Sequence, residues 1–449
     1  MTELLPATIA QARRNSAEVP RQPVDLLISL SGFSPETTIL AFELLKPERL
    51  MIIGSWSTRE SIDVIQDALR VPPSRLDVRY VEPTDPLKIY QVVQEAAQIG
   101  DVNRDGRARI IIDMTGGKKV MSASVALAAA QLDLPMCYID GKFDPELRQS
   151  EPGTERLVVV PNPTTLFGDR ELDAALVTFR HGAYAAAHER FAKVADTAYE
   201  PARARFLRDL TDVYQAWCDL NFDGLRDRVA ALRSRLADAA YRPPPPLVRR
   251  LHDQLRFLDS LVDLHDDRRD GPPLLLNFYL LGRHYQGLGR HDFAALLYYR
   301  TIESSTAQRL AAIGPGFSGR EPDYSLFGPD PADLAARYER AASAVHGKDV
   351  VGLPVAVGLM DGVVLLHVLN DALTKQLGLT NAKAFGHLRT LVHARNQSVL
   401  AHGTGTVTAK LSATLENFAL RSLRAFWNIE FAKENVDERI SALQFLVEV

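Results

Sequence analysis

The 449-residue sequence predicts an α/β domain with a Rossmann-like parallel sheet at the N-terminal end, followed by an all-α remainder in two parts. Three observations carry this expectation. Short apolar runs alternate with helix-spaced stretches as far as Val160, and no strand pattern recurs beyond about Leu166. The chain is also too long for one core, since roughly 150 residues per domain implies about three domains. The expected boundaries are 1–165, 166–272 and 273–449.

The leader MTELLPATIAQARRNSAEVPRQP lacks an apolar core and carries acidic residues, so we expect a short, loosely held segment and no export signal. VDLLISL, RLMIIGS, RLDVRYVE, ARIIIDM and LPMCYID then read as strands, with helices near 36–46, 58–70, 85–99 and 117–133. Continuous apolar strands alternating with helices imply a parallel sheet covered on both faces, with ligands bound beyond the carboxyl ends of the strands. LVVVPNP adds a last apolar run before Pro161 and Pro163 break the pattern. From Leu166 to Leu264 the spacing is helical, apart from YRPPPPL at 241–247, whose prolines demand an extended connection. HDDRRDGPP, 265–273, marks a second boundary. Helices are expected at 275–288, 291–313, 330–345, 355–378, 381–401 and 411–433, with long loops within 314–353.

Composition narrows the function. With 46% hydrophobic and 24% charged residues the chain is of ordinary globular type, and a net charge of -4 argues against a bulk polyanion binder. Any nucleic-acid contact must be local. The two cysteines, Cys137 and Cys218, support neither a disulfide framework nor a zinc knuckle; reduced thiols in a cytoplasmic protein are expected. No stretch approaches the roughly 18 apolar residues of a membrane span, so no membrane partner is expected. There is no HExxH, no CxxC pair and no carboxylate cluster to suggest a metal nuclease, and neither a metal nor a cofactor is expected.

In IIIDMTGGKKVMSASVALAAA, 110–130, an apolar strand runs into Thr115, Gly116, Gly117, Lys118 and Lys119, then into a helix of small residues. Glycines permit close backbone approach, the amides opening a helix carry partial positive charge, and the lysines add full charge. Together these make an anion site; the plainer alternative is a structural βα turn with solvated lysines. A Walker A loop is excluded because Val120 follows the lysines, and a dinucleotide fingerprint because SLSGFSPETT holds one glycine. Neighbouring strands end in Ser31-Gly32-Phe33-Ser34 and Ser55-Trp56-Ser57-Thr58, which supply hydroxyls with room for a flat ligand. Phe33 or Trp56 can stack on a base or serve as partly buried packing.

DMTGGKKVMSASVALAAA resembles the Asp-x-Thr-Gly-Gly-x-Lys signature of CARF domains (CRISPR-associated Rossmann folds), which bind cyclic oligoadenylates. The resemblance covers roughly 24–170, including PNPTTLFGD. It implies a sensor that uses Thr115, Gly116, Gly117 and Lys119 across a dimer cleft. Lys118 stands where many members have Thr.

LRTLVHARNQSVLAHGTG, 388–405, is the second informative stretch. On a continuous helix, Arg395 and His402 would return to within about 20° of one face and lie about 10 Å apart. At that distance one pair closes poorly around a phosphodiester, whereas two copies across a twofold axis can do so. Gly403 would then terminate the helix. The string resembles the Arg-Asn-x-Ser-x-Leu-Ala-His-Gly form of the HEPN ribonuclease motif, and YYRTIES, 298–304, resembles the early HEPN helix with its Tyr-Arg-x-x-Glu pattern. Arg389 and His393 form a competing pair, read as packing or surface residues. Histidine suits proton transfer near neutral pH, and arginine suits phosphate binding. His402 is therefore assigned to acid/base work or 2'-hydroxyl positioning, Arg395 to phosphate and Asn396 to support.

The combined resemblance, to CRISPR type III-associated CARF–HEPN ribonucleases, implies a cytoplasmic homodimer with an all-α connector between sensor and effector. Cyclic tetra- or hexa-adenylate would activate endonucleolytic cleavage of single-stranded RNA without metal, giving 2',3'-cyclic phosphate ends. Two other readings stay open: a non-catalytic sensor or scaffold, and a CARF domain that degrades its own ligand through Ser31, Thr115 and Lys119.

Overall fold

The structure, a computed structural model, describes the chain apart from residues 1–4, 17–22, 103–108, 147–148, 268 and 401–402. It divides into two compact units, residues 1–170 with 196–201, and residues 171–195 with 202–449.

In the first unit the strands β1 Leu26–Leu30, β2 Arg49–Gly54, β3 Leu76–Tyr80, β4 Ile110–Asp113 and β5 Met136–Asp140 alternate with helices. These are α1 Leu5–Asn15, α2 Pro35–Leu45, α3 Arg59–Leu69, α4 Pro86–Val102 and α5 Lys119–Leu132. A ribbon of β6 Phe143–Asp144 and β7 Gln149–Ser150 leads to β8 Arg156–Val160 and α6 Pro163–Leu166. Among the described residues the main sheet runs β3-β2-β1-β4-β5-β8. Every residue of β1 and β4 is buried because helices cover both faces. Ile28 and Ile112 pack with Val93 of α4 and Val125 and Ala128 of α5; Leu27, Ile52 and Ile111 pack on the other side with Ala41 and Ile62. Full burial of such a side chain contributes about 1.5–3 kcal/mol. Ala128 and Ala129 let α5 sit close to the sheet. Strand order reverses between β1 and β4, so a crevice opens at their carboxyl ends.

Two expectations for this unit need correction. The sheet is mixed, because β8 runs antiparallel to β5, with Arg156 paired to Asp140 at 2.8 Å. The chain returns from β5 through a ribbon, and such a return needs no helical crossover. The described part of the leader, residues 5–16, is also not loose, since α1 buries Ala12. Asn15 Nδ2 donates to the Gly153 and Glu155 carbonyls at 3.0 and 3.1 Å, and Ser16 Oγ accepts from Leu157 N at 2.8 Å. Those partners lie far along the chain, where local sequence cannot show them.

The second unit carries α7 Asp169–Arg180 and α8 Tyr184–Thr197 for most of their length. It continues through α9 Ala202–Cys218, α10 Leu225–Ala237, α11 Pro245–Asp266, α12 Pro272–Gly287 and α13 His291–Ile313. Then come α14 Pro331–His346, α15 Leu359–Val368, α16 Ala372–Gln376, α17 Ala382–Asn396, α18 Ala409–Glu430 and α19 Val436–Leu443. The prolines of 243–246 run from an extended Pro244 into the first turn of α11, where a missing N–H costs nothing. Trp217 Nε1 donates to Asn277 Oδ1 at 2.7 Å, and Phe445 stacks on both Trp217 and His284.

Two helices are shorter than their apolar spacing predicted. The stretch 355–378 is broken at Asn370, whose φ of 62° stops α15; Asp371 then caps α16 and pairs with Arg309. The helix expected over 381–401 ends at Asn396, with consequences for the site below.

Candidate functional sites

At the crevice of the first unit, the loops after β1 and β4 lie backbone against backbone. A Cβ on Gly32 would come within 3.0 Å of Gly117 N, and one on Gly116 within 2.0 Å of the Leu30 carbonyl oxygen. Ser31 is buried, its amide donating to Ile53 O at 2.9 Å, while Ser34 is exposed ahead of α2 without a capping bond. Ser55 is buried too, its Oγ 2.8 Å from Ser57 Oγ and its amide donating to Thr58 Oγ1. Phe33 is 79% exposed and Trp56 71% exposed. Trp56 rests one face on Tyr80, with ring centres 4.3 Å apart and planes within 6°, which leaves its other face to solvent. Lys118 caps α5 and Lys119 opens it; both are exposed at the positive end of the helix.

Thr115 is the most committed member of the group. Its hydroxyl donates to Asp113 Oδ1 at 2.5 Å and accepts from Ile139 N at 2.8 Å, tying β4 to β5. Asp113 is fully buried and takes further hydrogen bonds from Thr115 N and Ser29 Oγ; Ser29 Oγ also meets Thr38 Oγ1 at 2.9 Å. Burial pushes the Asp113 carboxyl above its ordinary pKa, and the hydrogen bonds from Thr115 and Ser29 oppose that shift. The sequence did not single out Ser29 or Tyr80, and Asp113 figured only as the first residue of the Asp-x-Thr-Gly-Gly-x-Lys signature. The available signal was a serine and a carboxylate inside strands otherwise fit for burial on both faces.

In the second unit Arg395 occupies the last turn of α17. Beyond Asn396 the chain leaves the helix. Ser398 N donates to Arg395 O and Gly403 N to Ser398 O, while a β-bridge joins Ser398 to Gly405. His402 lies outside the described residues. The helix expected to carry Arg395 and His402 on one face ends at Asn396, and residues 397–400 and 403–405 are not helical. Gly403 does not end a helix but serves a close approach: a Cβ there would come within 1.9 Å of the Gln397 carbonyl oxygen.

The Arg395 guanidinium carbon lies 4.4 Å from the Tyr299 ring centre, and its Nη1 donates to Asn396 Oδ1 at 3.0 Å. Tyr299 OH donates to Glu303 Oε1 at 3.3 Å, and Glu303 pairs with Arg300. The two HEPN-like strings of the sequence thus meet here, on α13 and α17. Partial burial holds the Arg395 pKa below its ordinary value, against the pull of Tyr299 and Glu303; arginine stays charged regardless. Of the competing pair, Arg389 donates to the Val345 carbonyl at 2.8 Å and His393 is exposed.

Residues 267–425 match the family model of the Csm6 HEPN domain. A CRISPR system endoribonuclease Csm6 from Thermus thermophilus is 26% identical, the match covering 89% of this chain and 85% of that one. This chain is similar to the Csm6 endoribonucleases of CRISPR systems. The solved structure of Enterococcus italicus Csm6 bound to cyclic hexa-2'-fluoro-hexa-dAMP has 10% identity and a TM-score of 0.53, covering 93% of this chain and 97% of that chain. At that identity the likeness is one of fold. The Csm6 HEPN segment begins just after α11, ends within α18, and contains Tyr299, Arg395 and Asn396.

Proposed function

We propose that this Csm6 relative is a cytoplasmic, homodimeric endoribonuclease of type III CRISPR antiviral defence, activated by a cyclic oligoadenylate. Residues 1–165 sense the activator, 166–272 connect and 273–449 cleave single-stranded RNA without metal. The observation that carries this reading is Arg395 inside the matched HEPN segment, with one N–H donor given to Asn396 and no carboxylate on its fork among the described residues. Such a guanidinium is suited to a phosphate.

In the proposed reaction the 2'-oxygen attacks the adjacent phosphorus as the bond to the 5'-oxygen breaks. The 2'-hydroxyl loses its proton and the leaving 5'-oxygen gains one, giving a 2',3'-cyclic phosphate and a 5'-hydroxyl. Arg395 offsets the charge growing on the phosphate, Asn396 supports it, and His402 moves a proton or positions the 2'-hydroxyl. In the sensor unit, Lys118, Lys119 and the glycine amides would hold the ring phosphates. Ser31, Gly32, Phe33, Ser34, Ser55 and Trp56 would face the sugars and bases. The engagement of Thr115 with Asp113 and Ile139 speaks against its acting as a ligand-cleaving group.

The test is a fluorescent single-stranded RNA reporter in EDTA, alone and with cyclic tetra- or hexa-adenylate, on wild type and His402→Ala. Cleavage with one ring, lost in the variant, supports the proposal. Ring binding without cleavage would favour the scaffold or ligand-degrading readings, and cleavage that needs added metal would remove the metal-independent step.

A further inference from the structure

Partly buried arginines of the second unit are commonly clamped by carboxylates: Arg309 by Asp371 and Glu430, Arg228 by Asp212, Arg235 by Asp209. Arg395 is held differently. Its guanidinium carbon lies over the Tyr299 ring, 4.4 Å from the ring centre, and among the described residues no carboxylate oxygen comes within ion-pair distance. The difference matters chemically. A carboxylate occupies the N–H edge of the fork, whereas an aromatic face attracts the cation through its quadrupole and leaves that edge open.

The ring is itself anchored. Glu303, one helical turn along α13, accepts from the Tyr299 hydroxyl, and Arg300 balances the charge of Glu303. The carboxylate therefore steadies the ring without competing with a phosphate for Arg395. Burial raises the Tyr299 hydroxyl to about 12, so it remains a neutral donor near physiological pH.

We propose that Tyr299 is a positioning residue for RNA cleavage: its ring face fixes the Arg395 guanidinium while leaving the N–H edge to the scissile phosphate, and Glu303 fixes the ring. This rests on the reading of Arg395 as the phosphate-binding cation.

The experiment compares wild type, Tyr299→Phe, Tyr299→Leu and Arg395→Ala in the activated RNA reporter assay, resolving kcat from KM, with thermal melts alongside. Tyr299→Phe keeps the ring face and is expected to retain kcat within about threefold. Tyr299→Leu removes it and is expected to lower kcat about tenfold with little change in KM or Tm. If the Leu variant does not fold, Tyr299→Met, which also lacks a ring, takes its place. Equal losses for Phe and Leu would overturn the proposal, because the hydroxyl and not the ring face would then be acting. Unchanged kcat in Tyr299→Leu alongside a dead Arg395→Ala would overturn it while leaving the ribonuclease reading intact. Full activity in Arg395→Ala, or no cleavage by wild type with either ring, would overturn both.

Discussion

Gly116 and Leu30 pack backbone against backbone: a Cβ on Gly116 would lie 2.0 Å from the Leu30 carbonyl oxygen and 2.9 Å from its carbon. The cause is the topology. β1 and β4 are direct neighbours, in register from Leu26 with Ile110 to Ser29 with Asp113, so the loops leaving them share one crevice. Gly116→Ala must push the two loops apart. We expect a loss of about 3 kcal/mol or more in the stability of the first unit and the loss of the proposed cyclic-oligoadenylate binding. Calorimetry and ligand titration check both, and a variant that melts and binds like wild type would contradict the packing.

Trp56 offers a bare ring face because Tyr80 covers the other. Stacking of a base on an aromatic face is worth about 1–3 kcal/mol. Trp56→Ala is therefore expected to weaken binding of the proposed cyclic-oligoadenylate activator about tenfold, with the thermal midpoint of the protein little changed. Lys119→Ala should weaken binding as well and reduce its dependence on salt, since it removes a full charge. Titration of a labelled ring at two salt concentrations separates the two contributions; identical salt slopes would argue against a phosphate contact by Lys119.

The sheet was legible because strands buried on both faces write themselves as unbroken apolar runs, such as Ile110 to Ile112. The reversed β8 was not, since an apolar run carries no direction. Arg395 was singled out by its neighbours in sequence. Its tie to Tyr299 was not found, because two helices far apart in the chain create it. The end of α17 misled for a different reason. QSVL has helix-compatible residues, and the chain leaves the helix there through local hydrogen bonds, Val399 N to Gly405 O and Gly405 N to Gln397 O, that residue spacing does not show.

His284 gives a prediction for pH. It stacks on Phe445 at 4.1 Å and on Tyr184, and its Nε2 is buried without a partner among the described residues. Burial, and secondarily Arg290, push its pKa from 6.5 to about 4. The folded ring is thus neutral, and as pH falls from 6.5 to about 4 the unfolded chain takes up a proton that the folded one refuses. Stability drops through that window by roughly 3 kcal/mol and then levels off with respect to this group. His284→Phe should flatten this limb and raise stability near neutral pH by about 1 kcal/mol. Denaturant melts between pH 4 and 7 check it; parallel curves for the two proteins would mean that His284 titrates alike in the folded and unfolded chain.

Gly403 tests the loop that replaces the expected helix. Its backbone lies so close to Gln397 that a Cβ would come within 1.9 Å of the carbonyl oxygen and 2.2 Å of the carbon. Neither atom belongs to a flexible side chain, so Gly403→Ala must open the loop. The loop is pinned elsewhere by Val399 N on Gly405 O and Gly405 N on Gln397 O, and an opened turn strains both. His402, the residue proposed for proton transfer, immediately precedes this glycine in the chain. A misplacement of about 1 Å at such a group can cost roughly 100-fold in rate. We expect RNA cleavage by Gly403→Ala to fall by about that factor, while binding of the cyclic oligoadenylate, which the other unit is proposed to carry, stays at the wild-type level. Cleavage at the wild-type rate would show that the pinched turn is irrelevant to catalysis. A parallel loss of ring binding would show that the damage is not confined to the loop.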